Sequence, residues 1–407
     1  MVFELKKALS PYFSKEDTEI NDSILDLVDQ IGREQIEPHA REMDKIGTKL
    51  IDGKVVLPDQ MDKIVDTFRK NDLFGLNAAE KYGGSGLTHT LLNAVIERVA
   101  QADSSTGSYL SLQGALVDYI STYGSEELRE KYLPELAKGK RLGGFLYTEP
   151  GSGSDLGSVK TKAVREGDKY IINGGKVFIT NAGRADTFSF LASTDPSKGS
   201  RGLTAFILDA RDQDGFKVAR LENKLGIHAS PTGQITLENV EIPIENRLGE
   251  EDKGLGIILY GLSASRNGVA ASAIGIAEAA YRKALQYVNE RKQFGQKIID
   301  FQGTQWKIAD MATKLSTGRN QYIYSSRLKD LGKDFFKEAA MSKVYCSELA
   351  QTVCYEAIQM HGGNGYIAEY DVERYFRDAR IKSIYEGTSE VQRLIISREE
   401  MKKIPKS

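Results

Sequence analysis

The chain has 407 residues, 40% of them hydrophobic and 28% charged, which is the composition of an ordinary globular protein with room for two or three domains. A formal net charge of −2 gives no field for binding nucleic acid or an anionic membrane, so we expect neither partner. No apolar stretch is long enough to span a bilayer, and the N-terminus lacks the features of a secretory signal or an Arg-rich transit peptide. We therefore expect a cytoplasmic protein, or a mitochondrial-matrix protein if a transit peptide has been removed.

Residues 1–138 are predicted to form an N-terminal helical domain. Apolar residues recur at three- and four-residue steps in EINDSILDLVDQIGREQIEPHAREM (19–43) and TLLNAVIERVAQ (90–101), which is the spacing of one helix face. The segment YGGSGL (82–87) is predicted to be a loop between such helices.

Residues 139–250 are predicted to form a middle β-barrel domain. Short β-branched and aromatic runs alternate with Gly, Asp and Pro, as in TFSFLAST (187–194) and QITLENVEIP (234–243). In KYIINGGKVFIT (169–180), two apolar runs flank Asn173-Gly174-Gly175, which predicts a hairpin turn because such turns need positive φ. A small all-β barrel or sandwich accounts for this pattern.

Residues 251–407 are predicted to form a C-terminal four-helix bundle. Segment 306–328 and a last helix from about Ser389 accompany two stripes of residues at helical spacing. Ser389 and Gln392 have capping-box spacing, which places Glu386 just before that helix. Helix, sheet and helix follow one another without βαβ alternation, so a parallel nucleotide-binding sheet is not expected. The two stripes are Val269, Ala273, Ile276, Ala280, Ala284 and Tyr287, and Ser342, Cys346, Leu349, Val353, Ala357 and Met360.

The cysteines and histidines predict neither a disulfide nor a metal site. Cys346 and Cys354 lie eight residues apart on one predicted helix, about 12 Å from each other, which is beyond disulfide reach. The four histidines are dispersed without the spacing of metal ligands.

Three glycine-containing segments have both ordinary and functional interpretations. TEPGSGSDLG (148–157) misses the G-x-G-x-x-G register and is either a linking loop or a loop that contacts a polar ligand. ERKQFGQ (290–296) could be a charged helix end capped by Gly295, and QMHGGNGY (359–366) a helix C-terminus. His361 is expected to be a satisfied or exposed imidazole rather than a catalytic group. An isolated carboxylate such as Glu386 is usually a solvated surface group.

Taken together and in order, seven segments resemble the acyl-CoA dehydrogenase family over nearly the whole chain. They are YGGSGL, YGSEELREKYLPELAKG, YTEPGSGSD, VFITNAG, ERKQFGQ, QMHGGNGY and RDARIKSIYEGTSEVQRLIISRE. The resemblance implies an N-terminal helical domain, a middle β-barrel and a C-terminal four-helix bundle. It also implies a FAD cofactor held across a subunit interface in a homotetramer.

The resemblance implies which residues contact FAD. Many members have Trp at the position of Phe178, and a smaller apolar ring should still stack on the flavin. Ser154 falls where the family contacts FAD or the pantetheine arm of the substrate. The implied contacts are Phe145, Tyr147, Thr148, Ser154, Phe178 and Thr180, then Arg291, Gln293, Phe294, Gln359 and Gly363 toward the FAD of a neighbouring subunit, and Thr388 and Glu390.

The same resemblance makes Glu386 the catalytic base. In the family, the Glu of YEGTS removes the α-proton of an acyl-CoA thioester as the β-hydride passes to flavin N5, giving the trans-2-enoyl-CoA. The backbone N–H of the same residue helps to stabilise the thioester oxygen, and a dry site raises the pKa of the carboxyl. Tyr385, Gly387 and Arg266 are expected near the substrate, with Arg266 in a structural or orienting role.

Some choices stay open within the resemblance. One branch of the family places its base at the position of Ser265, where this chain has no carboxylate. Electrons are expected to pass to an electron-transfer flavoprotein. An acyl-CoA oxidase, an enoyl-CoA reductase working in the reverse direction and a non-catalytic scaffold protein are the alternatives.

The acyl group is expected to be uncharged. Glutaryl-CoA dehydrogenases hold the distal carboxylate with an arginine on a helical segment that here reads ADSSTGSYLSLQGALV (102–117) and contains no Arg or Lys. Gly107 falls near that arginine's position, and an unpaired buried carboxylate would cost several kcal/mol. An arginine arriving from another segment would remove this objection.

Overall fold

The computed structural model describes residues 2–211 and 213–405, and helices build its N-terminal part. Side chains cap the helices that carry the site: Thr88 accepts from the Leu91 amide and Asp103 from the Thr106 amide. The helices are α1 Phe3–Leu9, α2 Lys15–Ile31, α3 Glu37–Ile46, α4 Asp59–Lys70, α5 His89–Ala102, α6 Ser104–Tyr123 and α7 Glu126–Ala137, with a hairpin of β1 Lys49–Ile51 and β2 Lys54–Val56.

The middle of the chain is all-β, as predicted. Within the described residues, seven strands form one curled sheet in the order β3-β6-β4-β5-β9-β8, with β7 also paired to β6. Most pairs are antiparallel, but β3 and β4 both run parallel to β6. Buried aromatic and branched side chains of these strands pack together in one core cluster. The strands are β3 Gly143–Leu146, β4 Lys162–Glu166, β5 Lys169–Thr180, β6 Thr187–Ser193, β7 Leu203–Asp209, β8 Phe216–Leu221 and β9 Thr232–Pro243.

The hairpin turn predicted at Asn173-Gly174-Gly175 is wrong. β5 runs through these residues, and its register against β9 shifts between Ile172 and Gly174. The turn between β4 and β5 lies at Gly167 instead, which has φ 64°. Gly174 is required by packing, because a Cβ there would lie 2.5 Å from the Thr161 hydroxyl oxygen.

Helices return after residue 253, as predicted. α8 lies between α5 and α10 and is buried along most of its length. The last predicted helix begins at Ser389, as expected, and a further short helix precedes it. The bounds are α8 Gly254–Glu290, α9 Gln302–Asp330, α10 Phe336–His361, α11 Val372–Arg380 and α12 Ser389–Met401, with a hairpin of β10 Lys292–Gln293 and β11 Gln296–Lys297.

Two details of the C-terminal part concern its cysteines and its last helix. Cys346 and Cys354 are free and buried on α10, as expected. α12 begins at Ser389, but its cap is Thr388, whose hydroxyl accepts from the Val391 amide. The predicted capping box was therefore one residue too late.

A buried ion network fixes α8 against its neighbours. The Arg319 guanidinium on α9 donates to Glu97 of α5 at 2.7 and 2.8 Å and to Glu278 of α8 at 3.1 Å. The Tyr322 hydroxyl donates to the other Glu97 oxygen at 2.6 Å. Charge pairing and hydrogen bonds thus satisfy these buried carboxylates and hold three helices in register.

Candidate active site

A cavity of about 640 Å³ opens where the curled sheet meets α6, α8 and the segment before α12. Its walls come from α6, from residues 145–148, 153–156, 178–180 and 222–227, from α8 and from residues 377–388. A volume of this size is typical of a cofactor or substrate site. Ten predicted site residues line it: Phe145, Tyr147, Thr148, Ser154, Phe178, Thr180, Tyr385, Glu386, Gly387 and Thr388.

Glu386 projects into this cavity from a strained turn. Its backbone has φ 52°, and Gly387 follows with φ 93°. The Gly387 carbonyl accepts from Lys343 Nζ at 2.7 Å and from the Gln392 side-chain amide at 2.9 Å. A left-handed glutamate costs about 1–3 kcal/mol and persists only where surrounding contacts impose it, a pattern common at active sites.

The surroundings of the Glu386 carboxylate combine burial with positive charge. Burial raises its pKa, while the Ser265 hydroxyl, which donates to Oε2, and the nearby Lys343, Arg266 and Lys382 oppose that rise. A carboxyl with a raised pKa in a cavity has the properties of a general base or acid. It is not the solvated surface group that an isolated glutamate usually is.

An aromatic wall faces the same cavity from the sheet. Phe178 has φ 59° at a register shift of β5, and its ring is 65% exposed. Phe145 and Tyr147 stack with ring centroids 5.3 Å apart, and the Tyr147 hydroxyl donates to Ser189. The uncovered Phe178 face, with the Thr148 and Thr180 hydroxyls near it on the cavity wall, suits a flat heterocycle carrying polar edges.

Arg266 lies behind Glu386 rather than on the cavity wall. Its side chain is buried, Nη1 donates to the Ser263 hydroxyl, and burial lowers its pKa to about 10. Among the described residues, its Nε has no hydrogen-bond partner. Its positive charge acts on the site by lowering the pKa of the Glu386 carboxyl.

The remaining predicted cofactor residues are not on the cavity wall. α8 ends at Glu290, so ERKQFGQ is not a helix end capped by Gly295. It forms the β10–β11 hairpin instead, with Phe294 and Gly295 at φ 51° and 79° in the turn. This hairpin carries Arg291, Gln293 and Phe294, while Gln359 and Gly363 are exposed at the end of α10 and Glu390 is exposed in the first turn of α12.

His361 is a satisfied core histidine, as expected. Its Nδ1 lies 2.7 Å from the Ala357 carbonyl, and its ring stacks on Tyr287 at 4.3 Å. Burial lowers the pKa of the imidazole, which is therefore neutral near pH 7. The described residues also include no group of three or more His, Cys, Asp or Glu placed to hold a metal ion.

Sequence reasoning missed the cations of the cavity. The segment 102–117 has no Arg or Lys, but Lys224, Arg377, Arg380 and Lys382 reach the cavity from other segments. These residues are cations from other segments, the exception that the argument for an uncharged acyl group allowed, and that expectation stays a prediction. The available signal was the sequence RDARIKSIYEG, in which Lys382 precedes Glu386 by four residues.

Three family models match consecutive parts of the chain. They are the acyl-CoA dehydrogenase N-terminal domain over residues 18–140, the middle domain over 144–240 and the C-terminal domain over 252–401. The chain belongs to the acyl-CoA dehydrogenase family. It is accordingly an oxidoreductase, and members of this family are FAD-binding flavoproteins.

Known relatives agree with this assignment. The chain is 42% identical to the short-chain-specific acyl-CoA dehydrogenase of Clostridium acetobutylicum, over 80% of this chain and 86% of that protein. It is 41% identical to subunit CarC of the caffeyl-CoA reductase–Etf complex of Acetobacterium woodii, over 87% and 93%. The structure of butyryl-CoA dehydrogenase from Megasphaera elsdenii superposes with a TM-score of 0.89 at 37% identity, covering 94% of this chain and 98% of that one.

The residues present fit FAD. The open Phe178 ring and the flanking hydroxyls offer a planar apolar face with polar edges, which matches an isoalloxazine ring. No helix in residues 2–211 or 213–405 is long and apolar enough to cross a membrane.

Proposed function

We propose that the protein dehydrogenates an acyl-CoA thioester to the trans-2-enoyl-CoA, with Glu386 as the base that removes the α-proton. The observation that carries this proposal is the Glu386 carboxylate itself, which faces the cavity with a raised pKa and three cations around it. FAD, when bound, would supply the acceptor for the hydride that leaves the β-carbon.

The Glu386 turn supports a second role for the same residue. Within the described part of the chain, the Glu386 amide donates no hydrogen bond. An N–H that is free next to the base can donate to a thioester oxygen as negative charge develops there, which lowers the barrier to α-proton removal. Lys343 and Gln392 would keep this amide aimed by holding the next carbonyl.

The walls of the cavity would exclude water from the base. The buried Tyr147 ring, the half-buried Tyr385 ring and the side chain of Leu262 would shield the carboxylate from water. Ser154, Tyr385 and Gly387 would contact the substrate, and Arg266 would orient the site through its charge. Phe145, Tyr147, Thr148, Phe178, Thr180, Thr388 and Glu390 would hold FAD.

We propose a homotetramer in which the β10–β11 hairpin completes the FAD site of a neighbouring subunit. The hairpin presents Phe294 with 93% of its side chain exposed, which is costly for a large apolar group unless a partner covers it. Arg291, Gln293, Gln359 and Gly363 would join it there. The purified protein should be yellow, with about one FAD per chain.

We propose an electron-transfer flavoprotein as the redox partner. The relative from Acetobacterium woodii is a subunit of a reductase–Etf complex, which supports such a partner and also keeps the reverse reaction, reduction of an enoyl-CoA, as the second candidate. The direction depends on the potential of the coupled partner.

The proposal is tested by anaerobic titration with a panel of acyl-CoA thioesters, read by bleaching of the flavin absorbance. At least one thioester should bleach the flavin and yield the enoyl-CoA. A flavoprotein that no acyl-CoA reduces, and whose reduced form no enoyl-CoA reoxidises, would contradict both candidates.

A further inference from the structure

Lys382 is a buried ammonium on the cavity wall. Its side chain is only 3% exposed, and Nζ donates to the Ser272 hydroxyl at 2.7 Å and to the Tyr385 hydroxyl at 2.8 Å. An ammonium has three donors, and both of these acceptors are neutral. A buried charge of this kind is costly unless an acceptor or an anion completes its surroundings.

The nearby carboxylate of Asp378 is not among the hydrogen-bond acceptors of Lys382 Nζ. Asp378 Oδ1 accepts from the Ile227 amide at 2.6 Å, and Oδ2 lies 3.8 Å from Arg374. Asp378 acts on Lys382 electrostatically, and burial still lowers the pKa of the lysine to about 8.

The spacing of two serines on α8 indicates how far Lys382 lies from Glu386. Ser265 contacts Glu386, and Ser272 contacts Lys382. The two serines are seven residues apart, about 10 Å along the helix axis. Gly268 lies between them on the cavity wall and leaves the lumen open. A substrate with its α-carbon at Glu386 can therefore extend a short acyl chain past Gly268 toward Lys382.

The wall beside this path is polar. A Cβ on Gly268 would lie 3.2 Å from the Ser111 hydroxyl oxygen, so Ser111 borders the same space. Within the described residues the Ser111 hydroxyl makes no hydrogen bond, although it lines the cavity. A purely apolar acyl tail would leave this hydroxyl and the third donor of the Lys382 ammonium without an acceptor.

We propose that Lys382, helped by Ser111 and Ser272, selects acyl-CoA substrates that carry an oxygen acceptor at the far end of a short acyl chain. The assignment rests on the proposed function, since it places the thioester end of the substrate at Glu386. The acceptor is a carboxylate or a neutral carbonyl, and both accept from an ammonium. Lys382 then determines specificity at a distance from the bond being oxidised.

The test compares three thioesters with the same arrangement of heavy atoms, in which C5 carries two oxygens, an oxygen and a methyl, or two methyls: glutaryl-CoA, 5-oxohexanoyl-CoA and 5-methylhexanoyl-CoA. Rates of anaerobic flavin reduction, divided by substrate Kd, give a preference for each oxygen-bearing tail over the isosteric hydrocarbon. In the wild-type holoenzyme we expect a preference of about tenfold to a hundredfold for at least one oxygen-bearing tail. Preference for glutaryl-CoA would show that the acceptor on the natural acyl chain is a carboxylate. Preference for 5-oxohexanoyl-CoA would show that it is a neutral carbonyl.

Substitutions of two lysines test whether Lys382 causes this substrate preference. Lys382→Met should bring the ratio to about one, and Lys382→Arg should retain most of it. Lys224→Met is the matched control, because Lys224 is the other cavity lysine and its pKa is also lowered to about 8 by burial. Its ratio should stay as in the wild type.

Three results would overturn the assignment. The first is wild-type preference for 5-methylhexanoyl-CoA. The second is a preference ratio that falls to about one in Lys224→Met but stays unchanged in Lys382→Met. The third is flavin that none of these thioesters, nor butyryl-CoA, can reduce, which would also contradict the proposed dehydrogenation. If Lys382→Met does not fold, the wild-type comparison and Lys382→Arg still decide the matter.

Discussion

The Ser265 hydroxyl donates a hydrogen bond to Glu386 Oε2, although 121 residues separate the two positions in the chain. One residue lies on α8 and the other in the turn before α12; Glu386 lines the cavity, and the buried Ser265 contacts its carboxylate from behind the wall. Ser265 is also the position at which one branch of the family is expected to carry its base. A carboxylate at either position would therefore lie close to the same point of the site.

Replacing the base should abolish the reaction while preserving the flavoprotein. We expect Glu386→Gln to keep the fold and the flavin spectrum but to reduce the rate of flavin reduction by several orders of magnitude. General base catalysis alone contributes about 10²–10⁴-fold, and here no reaction proceeds without loss of the α-proton. Stopped-flow absorbance measures the rate. Activity within tenfold of the wild type would place the base elsewhere.

Moving the carboxylate to α8 should restore part of the activity. In Glu386→Gly the left-handed backbone is relieved, and adding Ser265→Glu returns a proton acceptor to the same point. We expect the double variant to reduce its flavin at least tenfold faster than Glu386→Gly alone. Its control is Ser265→Gln with Glu386→Gly, which has similar size but no proton acceptor. Equal rates in the two double variants would contradict the idea that a carboxylate at position 265 can take the place of Glu386.

The acid limb of the pH profile should move when a cation near the base is removed. Lys343 lowers the pKa of Glu386, so Lys343→Met should raise it further. The base works only when ionised, and activity rises with pH through that pKa. The acid limb of kcat/KM should therefore shift to higher pH. Lys337→Met, on the same helix and paired with Glu400, should leave the limb in place. A downward shift in Lys343→Met would contradict this electrostatic reading.

The sequence predicted the parts of the site that lie in continuous motifs. The YTEPGSGSD, VFITNAG and YEGTS segments converge on the cavity because each follows a strand or precedes a helix recognisable from its periodicity. It did not predict Gly174 inside a strand, because the reason is the Thr161 side chain packed against it from another strand. Nor did it predict Lys382, whose partner Ser272 is 110 residues away. Contacts of this kind depend on tertiary packing, which local patterns do not encode.

Breaking the buried ion network should destabilise the chain. Arg319→Met leaves Glu97 and Glu278 facing each other without their shared cation, and we expect a loss of about 3–5 kcal/mol in unfolding free energy. Lys169→Met, which removes an exposed ion pair with Glu241, should cost less than about 1 kcal/mol. Guanidinium unfolding followed by circular dichroism compares the two. Similar midpoints would mean that the network is not important for stability.

The exposed ring of Phe294 should matter only in the assembled, cofactor-bound protein. It lies in the turn of the β10–β11 hairpin, and in the single chain its nearest aromatic neighbour is Phe301, 6.3 Å away. Burying such a ring against a neighbouring subunit and its FAD is worth about 1.5–3 kcal/mol. We therefore expect Phe294→Ala to weaken FAD binding about ten- to a hundredfold. The circular dichroism of the chain should not change.

FAD content after desalting, a FAD titration of the apoprotein and the mass in solution measure the effect of Phe294→Ala. Ile51→Ala is the control, because Ile51 is an exposed apolar residue on the separate β1–β2 hairpin. Its FAD affinity should equal that of the wild type. If Phe294→Ala also binds FAD like the wild type and keeps the same mass, the hairpin does not complete a neighbour's cofactor site. The FAD contacts would then have to come from one chain alone.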